Sequence, residues 1–452
     1  MSEWKKIKLK DFLSQYRVTH IVQDDKYYGQ ITISKNNTIK FRESNIGKNI
    51  GRKRQFIIDL KKYPQTLIFT RQGVLDGSIG IAPEEVDGCI ATENMPMFSI
   101  NYEVIHPELL LYLIKSEMFK QKVKTIMPTG SAQKAIHERE LLELDFLLPS
   151  KIEHQQKLVN TLKRYDEIIL PVLDQENLNI ERIKKLRQAI LQEAIEGKLT
   201  ENWRIKNPVC LGDPNTDAAA LLETIKAEKQ KLITEGKIKK EKPLTPINPN
   251  DMPFTLPDGW VWVRLGEIAI NFDYGSSSKS SKEGKVPVLR MGNIQNGCID
   301  WEDLVYTNNN NEITKYSLTK FDLLFNRTNS RELVGKTALF NSDKYAIHAG
   351  YLVRFKMLGL ISPFFTNYLM NSKFHREWCN QVKTDAIGQS NINATKLKDF
   401  IFPLPPLAEQ QAIVERVDRL LNHINALEQQ TTERKHHAEQ LMQTVLKEAF
   451  TA

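Results

Sequence analysis

The 452-residue sequence contains four cysteines, Cys89, Cys210, Cys298 and Cys379, about 80 to 120 residues apart. That spacing offers no CxxC half-site for zinc and no dense disulfide framework. No run approaches the roughly 18 to 20 apolar residues a membrane helix requires. The opening stretch, Met1 to Lys10, alternates charge with apolar residues instead of building a signal-peptide core. These absences predict a chain of the reducing cytoplasm with no membrane partner. Its length exceeds one ordinary core and predicts two or more domains.

What is present begins with charge. The 63 Lys+Arg exceed the 55 Asp+Glu by eight. Residues 1–150 and residues 256–405 each carry +4 of that excess. Two basic blocks of similar size are the electrostatic footprint of two modules that meet a polyanion.

Self-comparison shows why there are two. Trp4, Lys8, Leu9, Asp11 and Phe12 fall on Trp260, Arg264, Leu265, Glu267 and Ile268 at a shift of 256. Pro107, Tyr112 and Ser116 fall on Pro363, Tyr368 and Ser372 at the same shift. Gln155-Gln156 then meets Gln410-Gln411, and Glu193-Ala194 meets Glu448-Ala449, at 255. The chain is one long unit used twice. Short strand-like runs, Thr66–Thr70, Asp322–Phe325 and Tyr351–Phe355, are broken by Gly, Asn and Ser clusters. One short amphipathic helix is expected near Glu108–Lys120 and another near Pro363–Trp378. Each block thus predicts a mixed α+β module.

A long helix follows each block. Ile413, Val417, Leu420, Ile424, Leu427, Thr431, Arg434, Ala438, Leu441 and Val445 keep a strict 4-3 spacing. Subtracting 255 gives Leu158, Leu162, Tyr165, Ile169, Val172, Glu176, Asn179, Ile183, Leu186 and Ile190. Both rows read as coiled-coil seams, and both turn polar at the same two places, as expected of helices that pair with each other and use polar layers for register. Pro171 predicts a kink or break in the first helix. Leu158 to Ile190 would span about 50 Å, so an antiparallel pair would hold two heads at a separation comparable to one or two DNA turns. The expected division is 1–149 and 258–405 as heads, 150–199 and 406–452 as helical spacers, and 200–257 as a tether. That tether has a polar helix near Ala218–Glu235, a solvated basic run Lys237–Lys242, and five prolines from Pro243 to Pro257.

Four strings carry a family resemblance: Asp399–Val414, Gly388–Asn393, Asp322–Arg327 and Ala189–Leu199. With them the sequence resembles the specificity (S) subunit of Type I restriction-modification systems over its whole length. The first copy departs from the pattern where residues 149–156 replace the proline-rich helix entry, and at Pro171. The resemblance implies two target-recognition domains joined by an antiparallel helical pair, each reading half of a bipartite double-stranded DNA target. It implies a non-catalytic chain docking two methyltransferase subunits and the restriction subunits, with S-adenosylmethionine, ATP and Mg2+ belonging to those partners.

Motifs for chemistry of the chain's own are incomplete. Ser330–Thr337 approximates a phosphate loop but has serine where the first glycine belongs. No Asn-Pro-Pro-aromatic string for adenine methylation and no HExxH is present. His436-His437 lacks a third ligand at useful spacing. Asp258, Glu283 and Lys285 imitate a metal-dependent nuclease pattern, which is the alternative reading, although they fall in loops and not on paired strands. Candidate DNA contacts lie on loops of the two blocks. Arg71 and Gln72 follow one strand, and Arg327, Asn329 and Arg331 follow another, so guanidinium and amide groups emerge together for bidentate bonds. Ser131, Gln133 and Lys134 are expected to match Gln389 and Asn391 in equivalent loops. Arg290, Asn293 and Gln295 add a polar edge, while Lys279 and Lys282 suit the DNA backbone.

Overall fold

A computed structural model describes residues 4–126 and 135–451. The chain divides into two compact units, Met1–Asn179 with Thr431–Ala452, and Ile180–Gln430. Each long helix, Ile152–Ile195 and Leu407–Ala449, contributes one part to each unit.

In the first unit, strand Trp4–Lys8 pairs antiparallel with Asp145–Pro149. A four-stranded sheet follows in the order Leu13–Tyr16, Met97–Ile100, Leu67–Phe69, Ile79–Ile81. The second unit repeats this plan: Val261–Arg264 pairs with Ile401–Leu404, and the sheet order is Ala269–Tyr274, Leu352–Met357, Asp322–Asn326, Thr337–Phe340. The continuous apolar runs at Leu67–Phe69 and Leu323–Phe325 follow from burial on both faces. Leu323 and Phe325 enter one core with Val353 and Phe355, while Leu324 enters another with Ala338 and Phe340. In the first unit Leu67 and Phe69 face one core, and Ile68 faces another with Tyr16 and Phe56.

The repeat extends to single hydrogen bonds. Leu9 N–H donates to the Leu144 carbonyl (3.0 Å) and Leu265 N–H to that of Phe400 (2.9 Å), both pairs displaced by 256. Buried Gln155 accepts from the His106 amide (2.8 Å) and donates to the Val104 (3.0 Å) and Pro149 (2.8 Å) carbonyls. Buried Gln410 accepts from the Ser362 amide (2.7 Å) and donates to the Pro405 carbonyl (3.1 Å). Each glutamine therefore ties the base of a long helix to the entry of a short one. The expected single short helix is in both units two: Pro107–Lys115 then Glu117–Lys124, and Pro363–Leu369 then Lys373–Val382. Ser116 and Ser372 make the break, because their Oγ caps the next helix through the amides of Phe119 and His375.

The long helices pair within each unit. In the first, Leu162 shares a core with Val445 while Glu176 lies 3.6 Å from Arg434. In the second, Arg187 reaches Asn425 and Glu428, and just past the end of the first helix Thr200 and Arg204 reach Glu409 near the start of the other. Residue numbers rise along one helix as they fall along the other, so the paired segments are antiparallel. The polar interruptions do meet: Glu176, almost fully buried, pairs with Arg434 and accepts from Asn179.

The seam is narrower than the sequence suggested. Leu162, Ile169, Ile183 and Ile190 are buried, as are Ile413, Val417, Ile424 and Val445, while Leu158 and Leu420 pack partly buried against their cores. Leu186, Leu427 and Leu441 remain about half exposed, at 48%, 48% and 52%. Two helices with no third layer cover one row of every-seventh positions, and the alternate row sits at the margin of contact. Pro171 neither breaks nor interrupts the helix, which runs on from Ile152 to Ile195. Pro171 and Glu167, whose carbonyl loses its usual donor, both face solvent, so water satisfies the lost bond.

Residues 200–257 are not the free tether expected. Helix Ala218–Thr234 is capped by Asp217 on the Ala219 amide, and Ala218, Leu221 and Ile225 are fully buried in the second unit's main core. Their i, i+3, i+7 spacing makes the apolar stripe that the surrounding charge obscured. Arg204 and Trp260 both bond the buried Glu409 carboxylate, at 2.5 and 2.7 Å. Gly197, at φ +72°, ends the first long helix close to Pro257 and Trp260, where no Cβ fits. Among the described residues no helix is long and apolar enough to cross a membrane.

Candidate nucleic-acid interface

The four strands of the second unit's sheet leave one end at Tyr274, Asn326, Thr337 and Leu352. Loops from that end join in a small sheet: Thr328–Asn329 pairs with Gln389–Asn391, which pairs with Thr384–Ala386. Two sets of residues 60 apart in sequence, Asn329 with Arg331 and Gln389 with Asn391, are thereby brought together. Asn391 Nδ2 donates to Thr328 Oγ1 (2.7 Å), Asn329 Oδ1 accepts from the Ser330 amide (2.8 Å), and exposed Arg331 lies 3.7 Å from Asp385.

Arg327 sits at the root of this sheet. Its backbone is held by the Tyr351 carbonyl (3.0 Å) and the Ile392 amide (2.9 Å), and its guanidinium lies 4.6 Å above the Tyr274 ring. Among the described residues, its buried Nε makes no hydrogen bond, and neither do the two amide atoms of buried Asn326 beside it or Nε2 of buried His348. Tyr274, 43% exposed, carried no mark in the sequence beyond its place at a strand end.

Arg71 occupies the matching place in the first unit: its carbonyl accepts from the Ile136 amide (2.9 Å), as that of Arg327 does from Ile392. Its side chain is differently employed. Glu138 accepts from Arg71 Nε (3.2 Å) and from its terminal nitrogen (2.6 Å), with both side chains largely buried. Burial pushes the Glu138 carboxyl up, but the Arg71 hydrogen bonds and charge outweigh it and hold the group below the usual range. Gln72 lies in the turn that follows. Ser131, Gln133 and Lys134 lie outside the described residues.

The remaining expectations divide. Lys279 and Lys282 are exposed in their loop. Gln295 is exposed, donating to the Gly292 carbonyl and accepting from Lys336. Arg290 is tied to the Asp303 carbonyl (2.6 Å) and carboxylate (3.2 Å). Asn293 is a correction: it is 3% exposed and its amide group is spent on Asp300, Glu302 and Arg290 backbone, so it shapes the loop and presents nothing outward. Sequence reading also passed over a second sheet of the first unit, ordered Thr19–Ile21, Arg54–Ile57, Ile90–Ala91, Tyr27–Ile33, Ile39–Ile46. Its strands carry exposed Tyr27, Phe41, Arg42 and Arg54, and exposed Arg52 lies just before one of them. The basic run Gly51-Arg-Lys-Arg54 was the available signal.

Catalytic alternatives find other roles. Asp258 lines a groove with Glu201, Trp203 and Glu409, whereas Glu283 lies in the loop where its carbonyl accepts from Ser281. Among the described residues no three His, Cys, Asp or Glu side chains gather as metal ligands. Cys379 Sγ is 3.5 Å from His375 Nε2, but burial pushes the thiol up to about 12 and the imidazole down to about 3, the reverse of a thiolate–imidazolium pair.

Residues 257–434 match the family described as Type I restriction modification DNA specificity domain. The matched residues lie in the second unit apart from the last four. The chain is 33% identical over 259 residues to the Type I restriction enzyme EcoAI specificity subunit of Escherichia coli, covering 54% of this chain and 41% of that one. It is 25% identical over 416 residues to the EcoKI specificity subunit of E. coli strain K12, covering 87% and 78%. The match with the EcoAI protein thus spans only about two-fifths of that relative's length. A chain from a solved Type I R-M system shares the fold, with TM-score 0.61 at 18% identity, covering 99% of this chain and 97% of that one. The resemblance of the sequence to specificity subunits is borne out, and the specificity domain contains the Arg327–Asn391 sheet end described above.

Proposed function

We propose that this chain is the DNA-reading subunit of a Type I restriction-modification complex. Each unit reads one half of a bipartite double-stranded target, and the two long helices form an antiparallel coiled coil that fixes the spacing between the halves. The chain performs no bond chemistry; methyltransferase and restriction subunits docked on it bring S-adenosylmethionine, ATP and Mg2+. The observation that carries this reading is one framework, repeated to single hydrogen bonds, that presents different loops in its two copies. Duplicated scaffolding with divergent loops is what two half-sites of different sequence require.

Two docked copies of one partner are supported by a groove that also occurs twice. In the first unit it is about 1190 Å3 and includes Glu117, Glu439 and Gln443; in the second it is about 450 Å3 and includes Lys373, Lys184 and Gln188, the repeat mates of those residues. Gln443 bonds the Lys115 carbonyl and Gln188 that of Asn371, the glutamines 255 apart and the carbonyls 256.

Modified-base sequencing of genomic DNA from cells carrying this gene and its neighbours tests the reading. Expected is a bipartite modified motif that disappears when this gene alone is deleted. A motif that survives the deletion contradicts it, as does Mg2+-dependent cutting by the purified chain that Glu283→Ala abolishes.

A further inference from the structure

Arg71 and Arg327 hold the same position in two copies of one framework, 256 residues apart, with matching backbone bonds to Ile136 and Ile392. What differs is the first residue of the short helix that follows those isoleucines. Helix Glu138–Leu142 starts with a glutamate, and its mate Ala394–Lys398 starts with an alanine. Both starts lie two residues after the isoleucine, so Ala394 stands where Glu138 stands in the first unit. In the first unit the carboxylate takes the guanidinium by two nitrogens, with Gln15 (3.2 Å) and Arg17 (3.9 Å) also reaching Glu138. In the second unit, among the described residues, no carboxylate is there: the guanidinium lies over the Tyr274 ring with its Nε buried and unpaired, which leaves the two terminal nitrogens as the donors for a ligand.

We infer that Arg327, stacked on Tyr274, is the side chain by which the second unit discriminates a guanine in its half-site, whereas Arg71 is withdrawn by Glu138 into an internal brace. The inference rests on the DNA-reading function proposed above and assigns a different job to each matched arginine. A guanidinium with free donors in a plane matches the O6 and N7 acceptors of guanine, and an aromatic ring beneath it restricts its rotamers without consuming a donor. A guanidinium already closed on a carboxylate has neither its charge nor its fork available. The first unit accordingly reads through other groups; exposed Arg54 on the second sheet is one candidate, whereas its neighbours Arg52 and Lys53 are paired with Glu93 and Asp24.

The test is modified-base mapping in cells that carry the complete system, with the full chain as parent or variant. Arg327→Ala should make one guanine position of one half-site indifferent to base, or lower modification at parental sites roughly ten- to hundredfold, with the other half-site unchanged. Arg327→Lys, which keeps charge but loses the fork, should likewise lose that discrimination while sites remain modified. Ala394→Glu should reproduce the loss by supplying the missing carboxylate. The double variant Arg71→Ala with Glu138→Ala, which removes both partners and leaves no orphan charge, should keep the parental motif in full. The assignment is overturned if the Arg327 variants keep the parental motif at parental levels, or if the Arg71/Glu138 double variant relaxes its half-site as much as Arg327→Ala does. A parent chain that yields no bipartite motif would overturn the DNA-reading function itself, and this assignment with it.

Discussion

The two units place the same glutamine, serine and arginine at the same points of the same framework, yet they differ in what those points support. Gln155 and Gln410 both tie a long helix to a short one, and Ser116 and Ser372 both break a helix pair. Among the described residues, around that shared frame the first unit adds a five-stranded sheet, while the second adds smaller sheets of three, two and three strands. The arginine at the sheet end is braced in one and left open in the other. The groups that hold the frame are buried and saturated, so their replacement costs stability in either unit. The groups that differ sit at the ends of strands, where a change costs little and alters what is presented.

The frame is where substitutions should cost most. Gln155→Leu leaves one amide and two carbonyls buried without partners, and should destabilise the first unit by about 3 kcal/mol or more. Gln410→Leu orphans one amide and one carbonyl and should cost about 2 kcal/mol. Urea titrations of both variants measure this; equal and negligible shifts would show that the matched glutamines are not what ties the helices.

Acid separates the units as well. His375, enclosed by Phe325, Trp378 and Phe400, is held down to about 3 by burial, with Arg376 adding to it, and His348 to about 4 by burial and then Arg354. An unfolded chain protonates both near pH 6.5. Their contribution is therefore present above about pH 6.5 and is lost as pH falls toward those values, by about 1.4 kcal/mol per pH unit for each group. Five of the six tryptophans, all but Trp4, lie in the second unit. The urea midpoint read by tryptophan fluorescence should fall between pH 7 and pH 5, and an unchanged midpoint would count against the burial of these imidazoles.

The repeat and the polar layer were legible in the sequence because both are patterns of identity at fixed offset. The matched polar interruptions place Glu176 and Arg434 in facing layers of an antiparallel pair. Strand order was not legible, since pairing Trp4–Lys8 with Asp145–Pro149 depends on contacts about 140 residues apart. Residues 200–257 read as a tether because charge outnumbers the three apolar positions, Ala218, Leu221 and Ile225, that anchor the helix. At the interface, the loops were found but not their commitments. Arg71 and Arg327 look alike as residues after a strand, and only Glu138 against Ala394, brought near by folding, separates them.

The claim that each unit reads its own half-site is tested most directly by exchange. Residues 1–149 are replaced by the corresponding block of a relative with a known, different target, and modified sites are mapped in cells holding the complete system. The account predicts that one half of the bipartite motif changes to that of the donor while the other half and the spacing between them stay as in the parent. A motif in which both halves change together, or neither does, would contradict it.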